Sequence, residues 1–233
     1  MNYKLRKCLS VIAVIMSIYT LFFFSIRFNA FNRHFYKMQS IRLELAKTMN
    51  TNEHDLYNMI DVLLDYLDGY RDDIDVKVEY HKNERLAYTD DEMKHMEDVR
   101  NLYLNAKYAA IFCLVSASLI LIILRCDNKK EYKSLLAESY IKTMILLLFI
   151  MCALSIYAFS DFNAFWNNFH GVFFSNDLWM LPSSSLMIQL LPESLFMSMV
   201  IRIVMMFIGI IAILILAAVF YLKRLQKELL KSE

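Results

Sequence analysis

Glycine and proline are scarce in this chain: three and two among 233 residues, with no Gly/Ser linker, internal repeat or low-complexity tract. The only boundary visible is therefore one of hydropathy, between apolar runs and polar blocks. The four cysteines, Cys8, Cys113, Cys126 and Cys152, lie in or beside apolar runs and show no CxxC spacing. That excludes a disulfide framework and a Cys-based zinc site, and leaves apolar packing as their role. Charge of one sign is missing as well. A net charge of +1 gives no face enough uncompensated positive charge for a nucleic-acid partner. No HExxH or other close His pair occurs, so no metal is expected. GxSxG, a Cys nucleophile paired with His and a Gly-rich phosphate loop are also absent, and no cofactor is implied. Ser183, Ser184 and Ser185 read as a polar turn.

What is present is apolar sequence in long runs. Mean hydropathy is positive, and the charged residues are confined to blocks between those runs, the pattern of an integral membrane protein. Runs at 9–26, 108–124, 143–160 and 196–222 are each near or above the roughly 17–25 residues that a spanning helix needs. The first follows Lys4, Arg6 and Lys7, and Ser25-Ile26-Arg27-Phe28 offers no small-x-small cleavage site, so 1–26 reads as an uncleaved signal anchor. Four crossings put both termini on one side. The short segments 2–7 and 125–142 and the tail 223–233 are rich in Lys and Arg, whereas 161–195 has neither. The positive-inside rule then puts both termini and the 125–142 loop in the cytoplasm, and 161–195 outside. The expected fold is mostly α, with four transmembrane helices and a small extracellular α+β cap at 27–107, between the first and second helices.

Within the cap, 29–49 mixes apolar and basic residues and suggests a helix leaving the membrane. Asn52 can cap a helix that runs through Leu67 and stops at Gly69. Ile74, Val76, Val78 and Tyr80 alternate with charged residues, a short strand signal that Lys82-Asn83-Glu84 turns toward 86–88. Thr89 and Glu92 make a capping box opening a helix that continues into the second crossing. The block is poor in core residues and is expected to rest on the membrane.

The segment 161–195 is no plain connector. It holds both tryptophans and both prolines, and Phe162, Phe165, Trp166, Phe169, His170 and Phe173 recur at helical spacing with Asn163, Asn167 and Asn168 opposite. That describes an interfacial helix with one histidine set into an aromatic stripe. Burial among rings lowers the pKa of His170 toward the neutral form that a general base requires; equally, an interfacial histidine can snorkel to headgroups. His95 stands about three turns ahead of the second apolar run. Asp98, on the same helix face, can orient its imidazole, although a His among Asp, Glu and Met also suits a solvated surface. His34, His54 and His81 have no such context. Asp177 and Glu193 flank the two prolines, where irregular backbone must be buried or line a cavity. Arg202, inside the last run, either pairs with Glu193 or snorkels outward. As the one clear intramembrane charge, it gives no ionisable relay for a transporter.

Two strings, HMEDVR from His95 and FHGVFFSNDLWMLP…LLPESLF from Phe169, resemble signature segments of the bacterial lipoprotein intramolecular transacylases. The layout of the whole chain resembles theirs too. The family pattern has an acidic Asp-Pro…Asp stretch after the Trp, where this chain reads Leu181-Pro182-Ser183-Ser184-Ser185, and Phe-Phe after Leu-Pro-Glu, where it has Leu195-Phe196. The resemblance implies an acyl shift in one substrate molecule: the sn-2 chain of a diacylglyceryl-modified lipoprotein moves to the α-amine of its N-terminal cysteine, leaving a lyso-form. It implies catalysis by His95 and His170 at the outer membrane face, support from Asp98, Asp177 and Glu193, and substrate contacts from Trp166, Phe169, Phe173, Phe174 and Trp179. These would enclose a dry, ring-lined chamber with membrane lipid around it. The alternatives are a lipid or lipoprotein hydrolase at the same site and a non-catalytic envelope-binding protein.

Overall fold

The computed structural model describes residues 1–80, 83–127 and 131–230. In chain order the elements are α1 (Tyr3–Ala30), α2 (Arg33–Arg42), α3 (Leu45–Thr48), α4 (Glu53–Asp68), β1 (Lys77–Tyr80), β2 (Asn83–Leu86), α5 (Asp90–Asp127), α6 (Tyr132–Ser160), α7 (Phe162–Phe173), α8 (Leu186–Leu190) and α9 (Glu193–Leu230). Four of these, α1, α5, α6 and α9, are long and apolar enough to cross a membrane. The 38 residues of α5 make a rod of about 57 Å at about 1.5 Å per residue, nearly twice the roughly 30 Å hydrocarbon core. Its surplus is the N-terminal part that carries His95.

Residue contacts divide the chain into two compact units. The first contains Met1–Ile26, Tyr108–Asp161 and Ile203–Glu233. Val14, Ile18, Met144, Phe207 and Ile211 are its buried core, and Phe22 meets Phe207 edge-on with ring centroids 5.0 Å apart. Away from that seam the long helices turn apolar side chains outward; Phe149 is 74% and Ile156 68% exposed, as a lipid-facing surface demands. At one end Arg6 reaches both Asp127 and Glu131.

The second unit contains Arg27–Lys107 and Phe162–Arg202. Its centre is α4, whose Leu56, Met59, Ile60, Leu63 and Leu64 are all buried. Asn52 accepts the Asp55 amide at one end of α4, and Gly69 closes the other in the left-handed region at φ 87°. β1 packs on α4, and α3 packs on α4 and α8. With Leu186, Met187 and Leu190 of α8 also buried, this unit has more core than the 27–107 block offers by itself, because the segment after α6 supplies part of it. A buried carboxylate ties it at the rim: Asp68 accepts from Arg27 at 2.6 Å, Lys107 at 3.1 Å and Tyr103 at 3.2 Å.

Three local expectations change. No single helix covers 29–49. α1 stops at Ala30, Asn32 caps a new start by accepting the Phe35 amide, and Glu44, at φ 49°, breaks the chain again before α3. The strand is shorter than the alternation at 74–80, although Ile74, Val76 and Val78 are buried as that alternation requires. β1 and β2 pair antiparallel from Lys77↔Leu86 to Tyr80↔Asn83, so Asn83 belongs to the returning strand, while His81 and Lys82 lie outside the described residues.

Candidate active site

The helix α7 owes its orientation to its sequence. Phe162, Trp166 and His170 recur every four residues, and Phe162 and His170 are buried. On the opposite side Asn167 donates to Asn163 at 3.0 Å. The stripe stacks along itself: Phe162 on Trp166 at 5.8 Å, and Trp166 on Phe169 at 5.6 Å. Phe196, from the first turn of α9, meets Trp166 at 4.5 Å. After α7 the backbone is irregular as far as α8, and it carries Phe174 and Trp179 back over His170.

His170 is 7% and His95 5% exposed, which removes the surface reading of His95. Although 75 positions separate them (170 − 95), their ring centroids lie 5.9 Å apart. Trp179 stacks on His170 at 4.9 Å and Trp166 meets it edge-on at 4.7 Å. Phe174 touches both histidines, at 5.2 Å from His95 and 5.7 Å from His170. At on the order of 1 kcal/mol per aromatic pair, these contacts hold the two imidazoles against the cost of burying them.

Hydrogen bonding separates the two rings. His170 Nδ1 lies 2.8 Å from the Trp166 carbonyl. A carbonyl only accepts, so Nδ1 carries the proton and a neutral ring keeps its lone pair on Nε2. Burial lowers the His170 pKa, partly offset by that bond to Trp166. His95, ahead of the apolar run 108–124, is pushed down to about 4, first by burial and then by His170, with Asp98 pulling the other way. Its Nδ1 is buried and among the described residues has no hydrogen-bond partner, a state that costs about 1–3 kcal/mol. The site thus presents one imidazole with a free lone pair beside another with an unsatisfied nitrogen. Such a pair can accept a proton at one ring and donate or accept at the other.

Several expected supports stand elsewhere. Asp98 does not hydrogen-bond His95; its Oδ2 accepts from Asn176 at 2.8 Å. Asp177 is exposed, and among the described residues its side chain forms no hydrogen bond or ion pair. Glu193 is exposed in the first turn of α9, where a negative charge suits the helix dipole. It does not pair with Arg202, which donates to Asn29 at 3.4 Å and lies over the Phe35 ring at 5.0 Å. Phe173 packs on Phe169 at 4.8 Å and is half exposed, apart from the histidines. Ring contacts from Trp166, Phe174 and Trp179 surround the two imidazoles. A cavity of about 220 Å³ lies between α2 and α4, lined by Ser40, Glu44, Lys47 and Tyr57, among others. Three residues join the site that spacing alone leaves unmarked: Asn176, Phe196 and Ser185, whose hydroxyl donates to Glu92. The Thr89/Glu92 box was the available signal, since it opens the helix one turn ahead of His95. Among the described residues, no group of three His, Cys, Asp or Glu is arranged to hold a metal ion.

No curated protein matches the chain. Among solved structures, the membrane integral lipoprotein intramolecular transacylase Lit from Bacillus cereus has the same fold. Its TM-score is 0.73 at 19% identity, over 97% of this chain and 100% of that one. Two variants of that Bacillus cereus protein, with a histidine replaced by alanine or by arginine, are also 19% identical and give TM-scores of 0.74 and 0.71. They cover 96% and 97% of this chain and 96% and 94% of their own. The family model of the lipoprotein intramolecular transacylase Lit matches residues 11–196, most of the sequence. By that match the chain belongs to the lipoprotein intramolecular transacylase family, a family of acyltransferases.

Proposed function

We propose that this protein moves the sn-2 acyl chain of a diacylglyceryl-modified lipoprotein onto the α-amine of that lipoprotein's own N-terminal cysteine. The observation that carries this reading is the pair of buried imidazoles 5.9 Å apart inside one aromatic shell. The α-amine, with a pKa near 8, is partly neutral at physiological pH and attacks the ester carbonyl. The attacking nitrogen becomes acidic as the C–N bond forms, and His170 Nε2 takes its proton. Neutral His95 donates a hydrogen bond to the carbonyl oxygen as it gains charge, and the protonated His170 passes its proton to the glyceryl oxygen as the C–O bond breaks. The proton lost by the amine ends on the glyceryl hydroxyl, so the reaction is neutral overall. No enzyme nucleophile is required, because substrate amine and ester are already in one molecule and need only be folded together. Trp166, Phe169, Phe174 and Trp179 provide the dry wall that favours transfer over hydrolysis.

The basic segments 2–7, 125–142 and 223–233 put the termini in the cytoplasm and the 27–107 and 161–195 segments outside, where lipoproteins are modified at the membrane surface. Half-exposed Phe173 and exposed Val172 suit contact with lipid on that side. The test is tandem mass spectrometry of a lipoprotein N-terminus from cells with and without the protein. Intramolecular transfer leaves the intact mass unchanged, and fragmentation finds one acyl chain as an amide on the cysteine. Loss of one acyl mass together with free fatty acid would instead identify a hydrolase, and an unmodified N-terminus would remove catalysis.

A further inference from the structure

Two side-chain bonds cross from the irregular 174–185 segment to α5, and they fall symmetrically about His95. Three residues before it, Glu92 accepts from the Ser185 hydroxyl; three residues after it, Asp98 accepts from Asn176 at 2.8 Å. The two anchors differ in burial, Glu92 being buried and Asn176 exposed. Glu92 is 2% exposed and its other oxygen accepts the Thr89 amide at 2.6 Å. Ser185 accepts the Ile188 amide and starts α8, whose Leu186, Met187 and Leu190 are buried. Asn176 also accepts the Leu178 amide at 3.1 Å, which shapes the turn leading to Trp179. Between the anchors, Trp179 stacks on His170.

From this geometry we infer that Glu92 and Asp98 are positioning residues: with Ser185 and Asn176 they strap the 176–185 segment across His95's helix and so hold Trp179 on His170. They touch neither imidazole by hydrogen bond and act through Trp179. This assignment rests on the two-histidine reading above for its effect on turnover, but not for its effect on the ring environment. In a chain whose Pro182–Ser185 stretch departs from the family pattern, Ser185 is the residue that closes one end of the strap.

The two tryptophans of the chain, Trp166 and Trp179, both contact His170. Intrinsic fluorescence of the full-length protein in nanodiscs, titrated with acid, therefore reads protonation of that ring. The titratable group facing His170 is His95 of α5; α7 and the loop present Trp166, Phe169, Phe174 and Trp179. Asn176→Asp keeps the acceptor for Leu178 but sets a carboxylate against Asp98. The exchange Asp98→Asn with Asn176→Asp restores a donor and an acceptor with the charge conserved.

The single variant is expected to move the fluorescence midpoint up toward about 6.5, the ordinary histidine value, and to cut turnover by up to about 100-fold. The double exchange should recover both. Glu92→Ala should act like Asn176→Asp, and Glu92→Gln, which can still bond Ser185 and Thr89, should not. An unmoved midpoint in Asn176→Asp and Glu92→Ala, or no recovery in the double exchange, would overturn the assignment. A midpoint that moves and returns while turnover stays constant would leave the strap standing and count against His170 as the base.

Discussion

At the residue scale, His170 and His95 differ in their surroundings. His170 donates a hydrogen bond from Nδ1 to the Trp166 carbonyl, which leaves the lone pair on Nε2, whereas among the described residues the Nδ1 of His95 has no hydrogen-bond partner. Both imidazoles have lowered pKa values, with burial as the largest cause. Protonation of the substrate amine sets one acid limb near pH 8; if neutral rings are the active form, no second inflection follows at the ordinary histidine value near 6.5, and the limb steepens only as the folded pKa of His170 is crossed. A second inflection at about 6.5, below the limb set by the amine, would show a solvated base instead. Stability moves in the same window. Above about pH 6.5 the rings are neutral in both folded and unfolded chains, and titration costs nothing. As pH falls toward about 4, the unfolded chain binds protons that His95 in the fold does not, so the native state loses stability. Replacing His95 with Asn is expected to flatten that loss in a thermal-unfolding series run across pH. His170 was legible in the sequence because its neighbours share its helix. Asp98 was misread because its partner, Asn176, lies 78 positions away, and local spacing supplies a partner only from the same helix.

At the element scale, helix ends were written plainly and chain breaks were not. The α4 caps, Asn52 and Gly69, could be read off because each does its job with a side chain or a φ value that few residues supply. Asn52→Ala is expected to cost about 1 kcal/mol. Gly69→Ala is expected to cost about 1–2 kcal/mol through the left-handed backbone alone, since an added Cβ would meet only Leu104 Cδ2 at an ordinary 3.6 Å. Chemical denaturation followed by α4 amide exchange measures both; equal stability in the Gly69 variant would show that the turn relaxes. The break at Glu44 had no such mark. A non-glycine residue at positive φ is held there by packing of Leu45 and Met49, both buried, which composition does not reveal.

At the scale of the whole molecule, the four long helices were the most legible feature, because roughly 30 Å of hydrocarbon permits few other ways to satisfy a backbone. The make-up of the second unit was the least legible, since Arg27–Lys107 and Phe162–Arg202 join through contacts distant in sequence. Asp68 is its most concentrated polar junction. Asp68→Leu strands Arg27 and Lys107 together and is expected to destabilise that unit by about 3–5 kcal/mol, read as early loss of amide protection in α4; unchanged protection would show that water replaces the carboxylate. Orientation is testable through the native thiols. Cys8 and Cys126 are exposed beside basic segments, so a membrane-impermeant maleimide applied to intact cells should miss both and label an Asn167→Cys variant. The reverse pattern would invert the proposed topology.

The central claim is that two histidines, brought together from separate segments, move an acyl chain within one lipoprotein. The direct measurement is tandem mass spectrometry of a synthetic diacylglyceryl lipopeptide incubated with the purified protein, its His95→Asn variant and its His170→Asn variant. The account predicts an isomer of unchanged mass with the amide-linked chain on cysteine from the unaltered protein, and no such isomer from either variant. The same isomer formed at the unaltered rate by both variants would contradict it.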